Sequence, residues 1–473
     1  MKRQEALGIF TGYFNDKRTA QRSNIIFEGI VHSGSSVINR TTNSHADKIG
    51  AYRMLNNKRC METEIKTALY ANCQVNAQNS KHLLCIQDTT AINYTSHSKR
   101  IKEKDKDLGI GSNADDIFLF CHPTIVIDAT THFPLGFSHL NIYNRDWETH
   151  GETRSATAYK QLPIEEKESF RWIESIRHSE ELLSKNSMCT YISDRESDIY
   201  ELLCLSHDNV HLLIRSSWDR TTDEKGICLI EKVLSSGVRE SYEIEIKHNA
   251  NRQDRKALLD LYYCPVRLLR PQKRVGKMAE SVDMYCVYVK ERAESVPQGE
   301  EPIEWRLLTT HIVEDNEMAM QCVEWYKQRW YIEELFRVLK SKGFDIESAQ
   351  LETGVALKKL ILFSLQACIN VMMMKLAFDA KAENIEAKNY LTTSQIELLR
   401  LLIPTLEGKT EKQKNPFIPT SLPWAAWCIA KLGAWVGYAS QSPPGYITFK
   451  KGYDKFMVKL ELFELMKKDV YKD

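Results

Sequence analysis

The sequence predicts an α/β protein in which a strand-rich middle is flanked by helical segments at both ends. Residues 1–70 show helical periodicity, and the chain beyond about residue 355 is again helical. Between these segments, short apolar runs typical of buried strands alternate with helical stretches. Because 473 residues are too many for one compact core, we expect roughly two to four domains.

The composition is that of an ordinary soluble globular protein, with 43% hydrophobic and 27% charged residues. No run approaches the roughly 18 uninterrupted apolar residues needed to span a bilayer, and the N-terminal sequence lacks a secretory signal pattern. The twelve cysteines are scattered singly, without a C-x-x-C pair, which argues against a zinc site. We therefore expect reduced thiols, a cytoplasmic location and no membrane partner.

The first segment, residues 1–70, is predicted to contain three helices. Apolar residues recur on a helical period in DKRTAQRSNIIFEGIVHSG, which stops at Gly34. A second helix is expected in DKIGAYRMLNN, and a third begins near Met61. The stretch between the first two, SGSSVINRTTNSH, has the composition of a loop.

Charge is distributed unevenly along the chain. Residues 1–70 carry eleven Lys and Arg against six Asp and Glu, a balance of +5, whereas the whole chain carries only +1. A basic N-terminal segment on a mildly acidic body is compatible with a DNA-binding domain. A solvated helical domain with a modest positive surplus would give the same balance, so charge alone does not decide between the two.

The middle of the chain contains strand patterns that end in acidic residues. HLLCIQDTT is a short apolar run, interpreted as a buried strand that ends at Asp88. IFLFCHPTIVID and FPLGFSHLNIYN are two further strands, which ATTH joins as a hairpin. After a helical region around 164–186, MCTYISDRESDIYELLCL is predicted to be a strand passing directly into a helix at Asp194. Residues 208–310 are strand-rich and irregular.

The segment YKQRWYIEELFRVLKSKG, residues 326–343, is predicted to form one amphipathic helix with a polar stripe. At roughly 100° per residue, four polar side chains fall within an arc of about 60°, and Glu334 lies about 100° out of line. The members of the stripe are Tyr326, Arg329, Glu333 and Lys340. The apolar side chains expected to hold the helix against the core are Trp330, Ile332, Leu335, Phe336 and Leu339.

Three acidic residues in these patterns suggest a metal site. Sites in open α/β sheets form outside the strand ends, so Asp88 and Asp194 are neighbours if their strands are adjacent, and a helix could add Glu333. Three carboxylates without a His or Cys ligand suit Mg²⁺ or Mn²⁺. Two such ions about 4 Å apart can activate an attacking oxygen and stabilise a leaving oxygen in phosphodiester chemistry.

Each acidic residue also has an ordinary structural explanation. Asp88 could close a strand as a turn residue, and Asp194 could simply cap the helix that follows it. Glu333 could be a surface residue on its helix. The stripe favours the catalytic interpretation slightly, because Arg329 and Lys340 would grip phosphates beside the metals and Tyr326 would add a hydrogen bond. The alternative is a set of helix ion pairs, with Arg329 and Glu333 at i, i+4.

The motif Y-x-x-R-x-x-x-E-x-x-x-x-x-x-K, formed by the four stripe residues, resembles the YREK signature of DDE transposases in the IS-four family of bacterial insertion sequences. The chain is similar to the Tn-five type over essentially its whole length. QDTT and SDRESDIYELL resemble the two Asp motifs of that family. NDKRTAQR and GAYRMLNN resemble its N-terminal DNA-binding domain, and IAKLGAW with PPGYITFKKGYDKF resembles its C-terminal dimerisation domain.

This resemblance implies a domain organisation. Residues 1–70 would form a helical DNA-binding domain, and residues 71–372 an RNase H-like catalytic domain with a β-rich insertion at about 208–310. Residues 373–473 would form a helical dimerisation domain.

The resemblance also implies an activity. Asp88, Asp194 and Glu333 would form a catalytic triad that holds two Mg²⁺ ions, with Mn²⁺ as a substitute. The reaction would be cut-and-paste transposition, in which nicking, hairpin formation and hairpin opening precede strand transfer into target DNA. The partners would be transposon-end DNA, target DNA and a second copy of the chain in a synaptic homodimer, inside a bacterial cell and on its nucleoid.

Further DNA contacts are implied by the same resemblance. Trp305, 21 residues before Tyr326, matches the family tryptophan that stacks on a flipped base, an interaction worth about 1–3 kcal/mol. A core aromatic at a strand start is the alternative for Trp305. Arg18, Arg22 and Arg53 are candidates for N-terminal DNA contacts, although exposed helix arginines without a function would have the same pattern.

Three functions remain open at the level of sequence. The first is an active transposase, which the complete set of acidic and YREK residues favours. The second is a DNA-binding regulator or inhibitor of transposition that does not cut. The third is a repair or restriction nuclease on the same fold, which would hydrolyse DNA without joining it.

Overall fold

The computed structural model describes residues 8–42, 44–101, 105–110, 116–145, 162–183, 187–205, 209–246, 254–272, 278–340, 342–380, 385–438 and 441–470. Its α-helices in these residues are α1 (Lys17–Ser33), α2 (Ile38–Thr41), α3 (His45–Leu55), α4 (Glu62–Ala77), α5 (Phe170–Leu183), α6 (Tyr200–Leu203), α7 (Leu229–Ser235), α8 (Asn316–Lys327), α9 (Trp330–Leu339), α10 (Gly354–Asp379), α11 (Thr393–Leu406), α12 (Leu422–Leu432) and α13 (Tyr446–Val470).

The strands of the described residues are β1 (His82–Gln87), β2 (Thr90–Asn93), β3 (Gly109–Ile110), β4 (Ile117–Asp128), β5 (Pro134–Tyr143), β6 (Met188–Ser193), β7 (Val210–Arg215), β8 (Glu240–Ile246), β9 (Arg255–Leu269), β10 (Ser281–Glu291) and β11 (Glu304–Thr309). The predicted mixed α/β class is confirmed by these elements.

The chain divides into two compact units. One consists of Met1–Gln78, Thr89–Gly151 and Tyr331–Asp473, and the other of Asn79–Asp88 and Glu152–Trp330. Each unit is therefore assembled from separate stretches of the sequence. The predicted division into three consecutive domains, with boundaries after residues 70 and 372, stays a prediction.

The first unit is built around α10. By length and composition this helix could cross a membrane, but 89% of its most apolar 18-residue stretch is buried. It packs against α1, α3, α4, α12, α13 and β5, as expected for a core helix. Even Lys359 is 1% exposed, and its ammonium donates to the Leu55 and Asn57 carbonyl oxygens at 3.0 and 2.8 Å.

The N-terminal helices begin and end where their sequence signals predict. Asp16 caps α1 by accepting from the Arg18 backbone N–H, and Gly34 ends it in the left-handed conformation at φ 63°. The prediction that all of residues 33–45 form a loop is wrong, because Ile38–Thr41 makes one helical turn. Ile38 and Thr41 are buried, so packing stabilises a turn that the local composition disfavours.

The strands of the first unit form an antiparallel group centred on β4. Strand β5 pairs with β4 through the predicted hairpin, which confirms that element, and β2 and β3 also pair with β4. Helix α4 packs on β5.

The second unit contains a sheet in the order β1-β6-β7-β11-β10-β9-β8. The first three strands are parallel, and the others are antiparallel to their neighbours. Strands β8 to β11 provide the strand-rich segment that the sequence predicts within 208–310. The parallel part places three strand ends at one edge, where sites form in α/β sheets.

Candidate active site

Three charged residues stand at the carboxyl ends of three neighbouring parallel strands. Strand β1 pairs with β6 up to Ile86 opposite Ile192, and Asp88 and Asp194 each follow two residues after that pair. Strand β6 pairs with β7 up to Ser193 opposite Ile214, and Asp194 and Arg215 are the next residues along the chain. Adjacent strands are about 4.8 Å apart, which makes these residues close neighbours. The sequence predicts that Asp88 and Asp194 are neighbours if their strands are adjacent, and β1 and β6 are adjacent.

The Asp88 carboxylate is held by an arginine from a distant part of the sequence. Arg329 donates from Nη1 to Oδ2 of Asp88 at 2.9 Å, and both side chains are less than one-fifth exposed. A partly buried arginine–carboxylate pair of this kind is stronger than a surface ion pair. The arginine therefore supplies positive charge beside the first carboxylate of the edge.

Asp194 caps a short turn instead of leading directly into an α-helix. Its Oδ1 accepts from the Glu196 backbone N–H at 2.9 Å, and its carbonyl oxygen accepts from Ser197 Oγ at 2.7 Å. The turn is a 3₁₀ helix over Arg195–Ser197, and α6 begins only at Tyr200, so the predicted direct passage from strand to helix is wrong. The capping role considered for Asp194 does occur, and it fixes the backbone that carries this carboxylate.

Tyr326, Trp305 and Arg215 form a contiguous group in the second unit. Tyr326 is 5% exposed, and its ring lies edge-on to Trp305 with 5.8 Å between centroids. Burial raises the pKa of Tyr326, an effect that the cations Arg329 and Arg215 oppose and the Asp194 charge reinforces. Arg215 donates to the Tyr326 oxygen and, at 2.9 Å, to the Glu304 carbonyl oxygen.

The predicted single helix over 326–343 is wrong, because the helix is interrupted at Gln328 and Arg329. There the backbone N–H groups bond to Trp325 and Tyr326, three residues back, which closes α8 with a tight turn before α9 begins. Tyr326 thus lies on α8 and Arg329 in the turn.

The other two stripe residues belong to the first unit. Glu333 lies in the first turn of α9 and is partly exposed, and Lys340 follows the last residue of that helix. Burial lowers the pKa of Lys340, an effect that the nearby Glu347 carboxylate opposes. Glu334, by contrast, is 5% exposed and forms an ion pair with Arg337. The two adjacent glutamates therefore have different surroundings.

The expected packing of α9 is correct for four of its five apolar residues. Ile332, Leu335, Phe336 and Leu339 are buried, whereas Trp330 is 56% exposed. Trp330 is the first residue of the helix after the break.

The three candidate DNA-binding arginines lie on α1 and α3. Arg18 and Arg53 are exposed at the surface. Arg22 is only partly exposed and forms an ion pair with Asp47 at 2.8 Å, which ties α1 to α3. Their role in DNA binding stays a prediction.

A cavity of about 250 Å³ opens beside the edge of the parallel strands. Its lining comprises Arg195, Arg215, Ser216, Ser217, Glu304 and Arg306. Three guanidinium groups against the single Glu304 carboxylate, which pairs with Arg306 at 3.6 Å, give the opening a net positive charge that attracts anions. Arg215 did not emerge from the sequence, although a charged residue ending the apolar run HLLIR was a usable signal.

The donor set of this edge fits a hard divalent cation. Asp88 and Asp194 offer carboxylate oxygens, which Mg²⁺ prefers, and no thiol or imidazole stands at their register position. The contact of Asp88 with Arg329 shows that positive charge is accommodated against this carboxylate. In the described ranges, no group of three or more His, Cys, Asp or Glu side chains is arranged to hold a metal ion.

A parallel strand edge with two acidic residues, flanked by arginines, defines a class of site suited to phosphate chemistry. Residues 237–371 match the family model described as Transposase DDE domain. The match supports a DDE transposase, and thereby a family of nucleases and strand transferases that act on transposon DNA and generally use divalent metals. Trp305, Tyr326, Arg329, Glu333 and Lys340 lie inside the matched range, and Asp88 and Asp194 precede it. The α/β architecture is consistent with the RNase H-like fold of such domains.

Proposed function

We propose that this protein is a transposase that moves an insertion sequence by a cut-and-paste reaction. The observation that carries the proposal is the position of Asp88 and Asp194 just beyond the ends of two adjacent parallel strands, together with the match of residues 237–371 to a transposase DDE domain. The order of the YREK residues and both Asp motifs favours the IS-four family and the Tn-five type within this class.

In this proposal Asp88, Asp194 and Glu333 hold Mg²⁺. When bound, the metal would activate the attacking oxygen and stabilise the departing one in each phosphodiester step. The carboxylates bind and orient it, and the cap on Asp194 limits the motion of one ligand. Because metal and arginine would compete for Asp88, Arg329 would exchange this carboxylate for a DNA phosphate in the working complex.

The cationic side chains would position the DNA backbone. Arg329 and Lys340 would contact phosphates, Arg as a fork of donors and Lys as a point charge. Partial burial of Lys340 lowers its pKa. A phosphate in contact with the ammonium would stabilise the charged form and oppose this shift. Tyr326 would hydrogen-bond the same strand, and Trp305, already packed against Tyr326, would stack on a flipped base during hairpin formation.

Recognition of the element ends would lie in the N-terminal helices. Arg18 and Arg53, which are exposed, would contact end-DNA phosphates. Arg22 would either break its ion pair with Asp47 to contact a phosphate, or keep the pair and hold α3 in place. The protein would act on transposon-end and target DNA in the bacterial cytoplasm.

A homodimer is supported by the exposed apolar face of α13. Four residues spaced on one side of this helix are each more than half exposed, namely Val458, Leu462, Leu465 and Met466. Such a stripe is costly in water, and a second copy of the chain would cover it in the synaptic complex.

The proposal is tested with a DNA fragment that carries the inverted repeats found beside the gene. Wild-type protein should cut it only with Mg²⁺ or Mn²⁺ and give hairpin-ended products. Asp194→Asn should lose cutting and keep end binding, whereas Asp283→Asn, at an exposed carboxylate on β10, should leave both intact. Normal cutting by Asp194→Asn would refute the metal assignment.

The same assay separates the other two functions. A wild-type protein that binds the ends and never cuts would be a regulator of transposition. A protein that hydrolyses DNA but does not join a pre-cut end to target DNA would be a nuclease on this fold.

A further inference from the structure

A buried aspartate holds the segment that follows β7. Asp198 is 2% exposed, and its Oδ2 accepts from Ser216 Oγ at 3.1 Å and from the Ser217 and Trp218 backbone N–H groups at 2.7 and 3.1 Å. Its Oδ1 accepts from Arg220 Nε at 2.9 Å, and its carbonyl oxygen accepts from Arg220 Nη2 at 2.7 Å. Asp198 thus binds four residues of the segment Ser216–Arg220, which we call the β7 segment.

The β7 segment is also fixed at two further points. Ser217 Oγ donates to the Arg195 carbonyl oxygen at 2.8 Å, which connects the segment to the turn that Asp194 caps. Asp219 Oδ1 accepts from the Ile230 backbone N–H at 2.8 Å, at the start of α7. A surface loop held by so many hydrogen bonds has little conformational freedom left to lose.

The side chain presented by this rigid segment is an exposed tryptophan. Trp218 is 64% exposed, while its neighbours Ser216 and Arg220 are buried. An indole in water forgoes the hydrophobic gain that burial would give it. A buried ion pair is a costly way to order a loop, and it is best attested where a specific geometry is required.

The surroundings of the β7 segment are suited to a polyanion. Ser216 and Ser217, directly before Trp218, line the cavity that also carries the guanidinium groups of Arg195, Arg215 and Arg306. A flat aromatic surface beside a cluster of arginines is the combination with which proteins bind single-stranded or distorted DNA, stacking on bases and neutralising phosphates.

We propose that Trp218 stacks on a nucleobase of the DNA bound at this edge, and that Asp198 and Arg220 are positioning residues that hold it ready. This inference rests on the proposed function and adds a contact on the side of the Asp194 turn, separate from Trp305. The base belongs either to the element end or to the target DNA, and both sources present the same aromatic face.

The experiment compares Trp218→Ala, Trp218→Phe and Ile312→Ala. Ile312 is the control, because it is an apolar residue of the same unit that is 67% exposed. Binding of the element-end duplex is measured without metal, and joining of a pre-cut end to an unrelated target duplex is measured with Mg²⁺. Loss of a stacked base should weaken one of these steps by between about 5-fold and about 150-fold in Trp218→Ala.

Trp218→Phe should recover most of the loss, since it keeps an aromatic face, and Ile312→Ala should match wild type. A loss in end binding assigns the base to the element end, and a raised KM for target DNA assigns it to the target. An unchanged Trp218→Ala protein, or one that Trp218→Phe does not rescue, would overturn the inference. If wild-type protein neither binds nor cuts the ends, the proposed function is refuted, and this inference, which rests on it, is refuted as well.

The positioning role is tested with Asp198→Asn and its combination with Trp218→Ala. If Asp198 acts through Trp218, the double variant should bind or join DNA no worse than Trp218→Ala, at equal thermal stability. Additive losses would show that Asp198 acts on the site by another route. The Trp218 variants decide the stacking contact independently if Asp198→Asn does not fold.

Discussion

Glutamine substitutions at two adjacent glutamates should have opposite consequences. Glu334 is 5% exposed and pairs with Arg337, whose side chain is 45% exposed, so water screens their attraction. Losing an ion pair of this kind costs at most about 1 kcal/mol, or a fall in Tm of no more than about 4 °C. Glu334→Gln should therefore be slightly less stable and should still cut DNA.

Glu333→Gln should show the reverse pattern. Glu333 is partly exposed in the first turn of α9, so a neutral isostere there changes stability little. If Glu333 binds the metal as proposed, it should matter to the reaction far more, because even residues that only support metal ligands are worth about 10–100-fold. We expect cleavage to fall by at least about 100-fold.

The measurement pairs a cleavage rate at saturating Mg²⁺ with a thermal unfolding curve for both variants. The two residues are neighbours on one helix and receive the same substitution, so each controls for the other. Equal losses of cleavage in both would refute the assignment of Glu333 to the metal site. A large stability loss in Glu333→Gln would show a structural role instead.

Three further predictions concern other parts of the chain. Burial lowers the pKa of His311 from 6.5 to about 3, so the unfolded chain takes up this proton first as the pH falls. Stability should therefore drop by up to about 1.4 kcal/mol per unit between about pH 6.5 and about pH 3, and urea titrations of His311→Gln should show a smaller drop. Leu462→Glu should keep the fold and lose the dimer on element-end DNA in light scattering. Arg18→Ala and Arg53→Ala should each lower the salt dependence of end binding by about one unit in the log–log slope, and an unchanged slope would exclude the phosphate contact.

Local signals predicted the elements well because they act over a few residues. Asp16 and Gly34 mark the ends of α1, and alternating turn and apolar residues mark the β4–β5 hairpin. Such signals are set by backbone geometry and capping, which neighbouring residues decide. They also identified both acidic strand ends, Asp88 and Asp194, as candidates.

Long-range contacts explain what the sequence did not predict. The helix break at Gln328 and Arg329 has no Gly or Pro signal, and Arg329 instead pairs with Asp88, 241 residues away. The placement of Arg215 and Asp194 at the ends of neighbouring strands depends on strand pairing, which no local pattern specifies. The role of Asp198 could not be predicted, because its hydrogen-bond partners lie about 20 residues later, beyond strand β7.

The burial of α10 has a consequence for how the protein is made. This helix is about 39 Å long and buried along most of its length, so it needs partners from α1, α3 and α4 as well as from α12 and α13. A ribosome takes roughly 14 to 55 s to translate the residues between the end of α4 and the start of α10. Helices α12 and α13 are synthesised later still. The N-terminal helices therefore wait, with apolar surface exposed, for a core that arrives late in synthesis. We expect the nascent chain to depend on chaperones, and its yield to fall steeply when the C-terminal helices are removed.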